Sequence, residues 1–176
     1  MMNFFSKIII ILCIFTTSAV SEILKKIEIT GNKRISSETI IIFSEVKIND
    51  QINKSKLDKV IKNLYQTNFF RNISLNFENQ ILFLNVEENP IIENLEINGI
   101  KKQSLVEFIK GKIQLAEMKS FNEELLAVDL DLINNILKTN GYYFTKISSS
   151  KNINSDLNTI NLRINIDLGE KAKIKK

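Results

Sequence analysis

Histidine is absent from the 176 residues, and the only cysteine is Cys13. Those two facts remove Ser-His and Cys-His nucleophile pairs and every histidine-ligated metal arrangement. A Ser-Lys pair or two facing carboxylates remains formally allowed. No spacing of Ser, Lys, Asp or Glu singles one out. The expectation is therefore a non-enzyme without cofactor or metal, whose work is binding. Its charge narrows the partners. Residues 1–21 contain Lys7 and no acid, so the remainder carries 23 bases against 20 acids, or +3. Lys and Glu are interspersed along the chain, which reads as a solvated surface and not as a nucleic-acid or anionic-lipid patch.

The first 21 residues read as an address. A short basic stretch ends at Lys7, and an apolar run of eight residues follows from Ile8 to Phe15. A membrane-spanning helix needs about 20. Ala19-Val20-Ser21 then puts small residues at the −3 and −1 positions of a cleavage site between Ser21 and Glu22. A cleaved signal peptide is expected over a retained anchor. Cys13 lies within its apolar core behind Ile11-Leu12, which does not suit lipidation. Its removal leaves no cysteine, consistent with an oxidising compartment, in a bacterium the periplasm.

Beyond residue 21 the chain repeats itself. Gly31 matches Gly99, Ser36 matches Ser104 and Ile41 matches Ile109, each 68 residues on; Thr67-Asn68-Phe69-Phe70 answers Thr139-Asn140-Gly141-Tyr142-Tyr143. Such self-similarity fixes the architecture before any single motif does. In the first copy Ile27 and Ile29 alternate with polar neighbours, a half-buried strand. Gly31-Asn32 turns the chain. Ser36 is placed as a helix N-cap with an Ile35–Ile40 staple, and Ser104 with Glu107 as a capping box. Leu57, Val60, Ile61, Leu64 and Tyr65 form a helical stripe behind a cap at Asn53. Leu126, Leu130, Ile133 and Leu137 form its counterpart, with Ser120 preferred over Asn122 as cap because Glu123 follows.

Two strands close each copy. Ile73, Leu75 and Phe77 alternate with polar residues, Asn79-Gln80 turns, and Leu82, Leu84 and Val86 alternate back. In the second copy Tyr143 to Ser149 is read as a strand and Asn152 to Asn158 as a polar loop. Ile160 to Leu168 then gives the clearest strand in the chain. Each unit is β-α-α-β-β, an α+β fold with a three-stranded sheet and two helices on one face. The one proline, Pro90, stiffens the joint.

In order and spacing these residues resemble tandem POTRA domains of outer-membrane β-barrel assembly factors. The resemblance rests on Gly31 to Ile35, Leu64 to Ile73 and Val86 to Ile91 in the first unit, and on Asn140 to Tyr143 and Asp167 to Glu170 in the second. Asn68 stands where that family prefers glycine, and Ile100 where it has asparagine. The resemblance implies a three-stranded mixed sheet in each unit. It divides the chain into a signal peptide (1–21), a first POTRA unit (22–90), a second (91–170) and the start of an incomplete third (171–176). It also implies a working surface, the outer edge of the penultimate strand. That edge holds Ile73, Ser74, Leu75, Asn76 and Phe77 in the first unit. In the second it holds Tyr143, Phe144, Thr145, Lys146, Ile147 and Ser148. The implied partners are unfolded outer-membrane β-barrel proteins and accessory subunits of the assembly machine. Contact with the outer membrane is implied only through a barrel absent from this chain, and no nucleic acid is expected.

Two neighbouring readings stay open at this point: a POTRA module of a two-partner secretion transporter, and a division-protein-like POTRA domain held by an uncleaved N-terminal helix. The aromatic pairs Phe69-Phe70 and Tyr142-Tyr143 either pack where the second helix meets the sheet or line a pocket for aromatic side chains of a client strand.

Overall fold

The computed structural model describes residues 22–171. The expected signal segment and residues 172–176 lie outside the described residues. In chain order the elements are β1 (Glu22–Ile23), β2 (Lys26–Thr30), α1 (Ser37–Ser44), β3 (Gln51–Ile52), α2 (Lys54–Gln66), β4 (Phe70–Glu78), β5 (Ile81–Glu88), β6 (Ile91–Asn98), α3 (Gln103–Lys110), α4 (Glu123–Thr139), β7 (Lys146–Asn154) and β8 (Thr159–Asp167). Six of the eight strands form two three-stranded sheets, ordered β2-β5-β4 and β6-β8-β7, and β1 pairs antiparallel with β3. In both, the first strand runs parallel to the central one and the penultimate strand runs antiparallel to it. This is the mixed α+β architecture expected for tandem POTRA units.

Alternation makes the cores. Leu82, Leu84 and Val86 point from β5 into a cluster with Ile40, Val60 and Leu64 of the helices. Ile160, Leu162 and Ile164 of β8 do the same with Ile109, Ile133 and Leu137. Each such aliphatic contributes roughly 1.5–3 kcal/mol relative to an exposed one. The intervening residues of β8, such as Asn161 and Arg163, face solvent.

The helix starts divide into expectations met and missed. Ser36 Oγ accepts from Thr39 N–H at 3.2 Å, and Asn53 Oδ1 accepts from Lys56 N–H at 2.9 Å. Ser104 does not cap α3. The helix begins at Gln103 behind Lys102, which makes no side-chain cap bond. Ser104 thus lies inside the first turn, and Glu107 instead accepts from Gln103 Nε2 at 2.7 Å. Ser120 does not cap α4 either. Its segment is drawn into an extended bridge with Ile91, and Asn122 Oδ1 takes the cap, accepting from Glu124 and Leu125 N–H.

A small device recurs that carries no side-chain signature. Leu24 N–H donates to Asp50 O at 2.9 Å and Asn49 N–H to Leu24 O at 2.8 Å. In the second unit Ile92 N–H donates to Lys119 O at 2.9 Å and Met118 N–H to Ile92 O at 2.8 Å. Asn49 and Met118 both adopt left-handed backbone, φ 76° and 65°. This clamp ties the loop between the two helices of each unit to the start of its first strand.

The joint spans only Asn89 and Pro90, between the end of β5 and the start of β6. Asparagine amides cross it: Asn122 Nδ2 donates to Asn68 Oδ1 at 3.0 Å, and Asn158 Nδ2 to Glu88 O at 3.3 Å. Beneath it sits the Glu88 side chain, 2% exposed. Its Oε1 accepts from the N–H groups of Lys33, Arg34 and Ile35 at 2.8, 2.9 and 2.9 Å. The Arg34 guanidinium lies 3.7 Å from Oε2. The carboxylate thus closes the turn that follows Gly31 onto the end of β5. Gly31 itself needs to be glycine: at φ 83° a Cβ would stand 2.1 Å from Val86 O.

Glu88→Ala removes the acceptor of three N–H groups at once. A loss of about 3 kcal/mol is expected in urea unfolding of the first unit; a midpoint within error of the parent would contradict the assigned role.

Candidate functional site

A three-stranded sheet has two outer strands, each with one row of N–H and C=O groups that no ladder partner can reach. The four outer strands here are β2, β4, β6 and β7, and they are not equally open. The outer edge of β6 is closed at its start by the clamp at Ile92. Further along, Leu95 N–H donates to Glu117 Oε1 at 3.2 Å. In the first unit Ile48 precedes the clamp residue Asn49 as Glu117 precedes Met118, and an aliphatic side chain offers no acceptor.

On β4 the direction of each backbone group follows from its hairpin. Asn79 and Gln80 both have positive φ, 52° and 66°, the signature of a two-residue type I′ turn. Such a turn is closed by a hydrogen-bonded pair, here Glu78 and Ile81. Ser74, Asn76 and Glu78 therefore bond to β5. Ile73, Leu75 and Phe77 turn their N–H and C=O groups to the outside. An independent contact agrees: Ile73 N–H donates to the Tyr65 hydroxyl oxygen at 3.2 Å, away from β5. A bulge between Phe70 and Asn72 interrupts the edge upstream.

The expected site residues of the first unit, Ile73 to Phe77, all lie on this edge strand. In the second unit the expectation needs correction. Tyr143, Phe144 and Thr145 precede β7, which begins at Lys146. The physical reason is the lack of a partner. Lys146 pairs with Asp167, the last residue of β8, after which the chain turns away at Gly169, φ 61°. Lys146, Ile147 and Ser148 are on the edge strand, which then continues through Asn154 and takes in residues read as loop. Asn154 Oδ1 accepts from Asp156 and Leu157 N–H, making the turn later than the polar composition suggested. Among the described residues no side chain bonds a backbone N–H of β7.

The aromatic pairs split. Phe70 is buried, and Phe69 packs tilted on Phe43 with ring centroids 5.7 Å apart. Phe43 and Phe69 are part of the wall of an 850 Å³ cleft between the units, which Arg34, Met118 and Leu125 also line. Tyr142 packs against the second core, whereas Tyr143 and Phe144 are exposed. The outer face of the second sheet is polar. There the Arg163 guanidinium, donating to Glu96 at 2.7 Å, holds the Glu96 carboxyl below its ordinary range.

The model of the family "POTRA: Surface antigen variable number repeat" matches residues 23–89 and again 90–169. The chain belongs to the POTRA family. Among curated relatives, the outer membrane protein assembly factor BamA of Buchnera aphidicola is 26% identical over 174 residues, covering 98% of this chain and 28% of the relative. BamA of Nitratidesulfovibrio vulgaris is 23% identical over 159 residues, covering 85% and 19%. The chain thus spans less than a third of the length of these relatives. Among solved structures, the N-terminal domain of Omp85 from Thermosynechococcus elongatus superposes with a TM-score of 0.58 at 12% identity, over 89% of this chain and 73% of that one. POTRA1-2 of the periplasmic domain of Omp85 from Anabaena gives 0.52 at 13% identity, over 87% and 100%. At such identities the structural likeness speaks for the fold.

The alternation on this POTRA edge is directly measurable. In amide hydrogen exchange, Ser74 and Asn76 are expected to be protected and Leu75 and Phe77 to exchange faster. The reverse order would show that β4 presents its other set of groups.

Proposed function

We propose that this chain is a periplasmic, non-enzymatic scaffold at the outer membrane. It receives unfolded outer-membrane β-barrel proteins, and assembly partners, as added strands on the outer edges of β4 and β7. The observation that carries the reading is the terminal position of these two strands, with Leu75 and Phe77 N–H groups facing outward and a nine-residue β7 without side-chain caps. Main-chain groups are common to all unfolded chains, so an edge can accept many clients. Relatives named as outer membrane protein assembly factors support the setting. Association with the outer membrane itself would run through a barrel outside this sequence.

Strand addition of this kind is weak, because ordering a disordered segment offsets most of the hydrogen bonding gained. Weak capture suits a relay that must release what it holds. The outer rows of both edges are flanked by mixed polar and apolar side chains, Ser74 and Asn76 on β4 and Ser148 and Ser150 on β7. Selectivity is therefore expected to be mild.

The test is an NMR titration of the chain with an unfolded peptide from an outer-membrane barrel strand. Amide shifts are expected along β7 and at Leu75 and Phe77. Leu75→Pro deletes an outward donor while the ladder to β5 keeps its bonds; it should fold and lose the shifts on β4. Peptide binding with unaltered β4 shifts in the folded variant would refute capture at that strand.

A further inference from the structure

The edges of β4 and β7 differ, among other things, in one hydroxyl that the repeat does not duplicate. Tyr65 is the penultimate residue of α2, 42% exposed, and its hydroxyl lies against the outer side of β4 where it accepts from Ile73 N–H at 3.2 Å. This is a side chain occupying the place that an incoming strand's carbonyl would take. Together with the bulge between Phe70 and Asn72, it leaves only the stretch from Leu75 to Phe77 with unengaged outward donors.

The second unit supplies the comparison. Gln66 and Thr139 end the two helices. Leu64 and Leu137 are both fully buried, and Asn68 and Gly141 both adopt left-handed backbone, φ 59° and 90°. That superposition puts Lys138 where Tyr65 stands. An ammonium donates and cannot accept, so it cannot cap an outward N–H. β7 therefore has no equivalent of the phenol.

We propose that the Tyr65 hydroxyl is a plug on the β4 edge, restricting strand addition in the first unit to a short window and leaving β7 the longer docking edge. The inference rests on the augmentation reading above and adds the residue that sets where an extended peptide can pair. The phenol is held by one neutral hydrogen bond at a half-exposed position. It can be displaced, at a cost that a guest strand must meet before it gains the Ile73 donor. Tyr65 acts by position and charge-neutral hydrogen bonding; no covalent bond is made or broken in the process.

The experiment compares the chain with its Tyr65→Phe variant, which keeps the ring and removes only the oxygen. The probe is a synthetic peptide alternating valine and threonine, with lysine at both ends. Without peptide, Ile73 amide exchange is expected to accelerate in the variant while Ser74 and Asn76 keep their rates. With peptide, shifts on β7 are expected to be the same in both proteins. Those on β4 should extend to Ile73 in the variant, with binding at that edge about three- to tenfold tighter. Wild-type binding on β7 with no gain at β4 in Tyr65→Phe, or an unchanged Ile73 exchange rate, overturns the plug alone. A peptide that shifts no amide in either protein overturns the plug and the augmentation reading together.

Discussion

Every strand in a sheet needs a partner on each side for its backbone groups, and three strands cannot provide that. This shortfall governs the molecule more than any side-chain chemistry. The cores at Leu64 and Leu82, or Leu137 and Ile160, cover one face of each sheet. They do nothing for its edges. The chain closes some edge positions with its own groups: the loop from Glu117 to Ser120 against β6, and the Tyr65 hydroxyl against β4. What remains unpaired is the surface that the proposed strand addition would use. Exposed edges invite indiscriminate pairing, and partial closure confines that tendency to short stretches at chosen places.

The joint links the two units by Asn89 and Pro90 alone, not by a loose tether. Two connecting residues leave little slack, and the Glu88 carboxylate fixes the turn at Lys33 to Ile35 directly beneath them. The Asn122 and Asn158 amides then donate across the boundary, to Asn68 Oδ1 and Asn89 O, while the Asn89 amide ties the joint back to Asn68 O. Amides suit this role because each offers both donor and acceptor without a charge to desolvate. Burying Glu88 is tolerable for a different reason. Three N–H groups bond its Oε1, and the Arg34 guanidinium 3.7 Å away is the compensating charge for Oε2, which has no hydrogen-bond partner among the described residues.

Much of this architecture is legible in the sequence, and the limits have physical causes. Period-two alternation in β5 and β8, and the stripe from Leu57 to Leu64, report burial directly, so strands and helices follow from residue type. Gly31 and Gly99 mark turns because no other residue fits against Val86 and Ile166 carbonyls there. Caps were harder. A serine three residues before a glutamate signals a helix start only if the chain enters at that point; at Ser120 a bridge to Ile91 moves the entry, and at Ser104 the helix has already begun at Gln103. The clamp at Leu24 and Ile92 uses main-chain groups only, for which no residue type is required. The start of β7 depended on where its partner β8 ends, a fact about a distant segment. Tyr65 fits an apolar stripe by its spacing, yet it is 42% exposed and its oxygen serves the neighbouring strand.

That double use gives tandem copies of one fold a route to unequal edges under the proposed reading. Burial fixes which positions of α2 and α4 are apolar, and both helices comply at Leu64 and Leu137. The next residue, at the rim, is free to vary because its outer half is solvated. Tyrosine there reaches the edge of the sheet with an acceptor; lysine at Lys138 cannot. The choice lies outside the core and, under the proposed strand addition, changes which edge a guest strand can use. Divergence between repeats is therefore expected first at such rim positions, where packing is already satisfied and one polar atom decides the state of an edge.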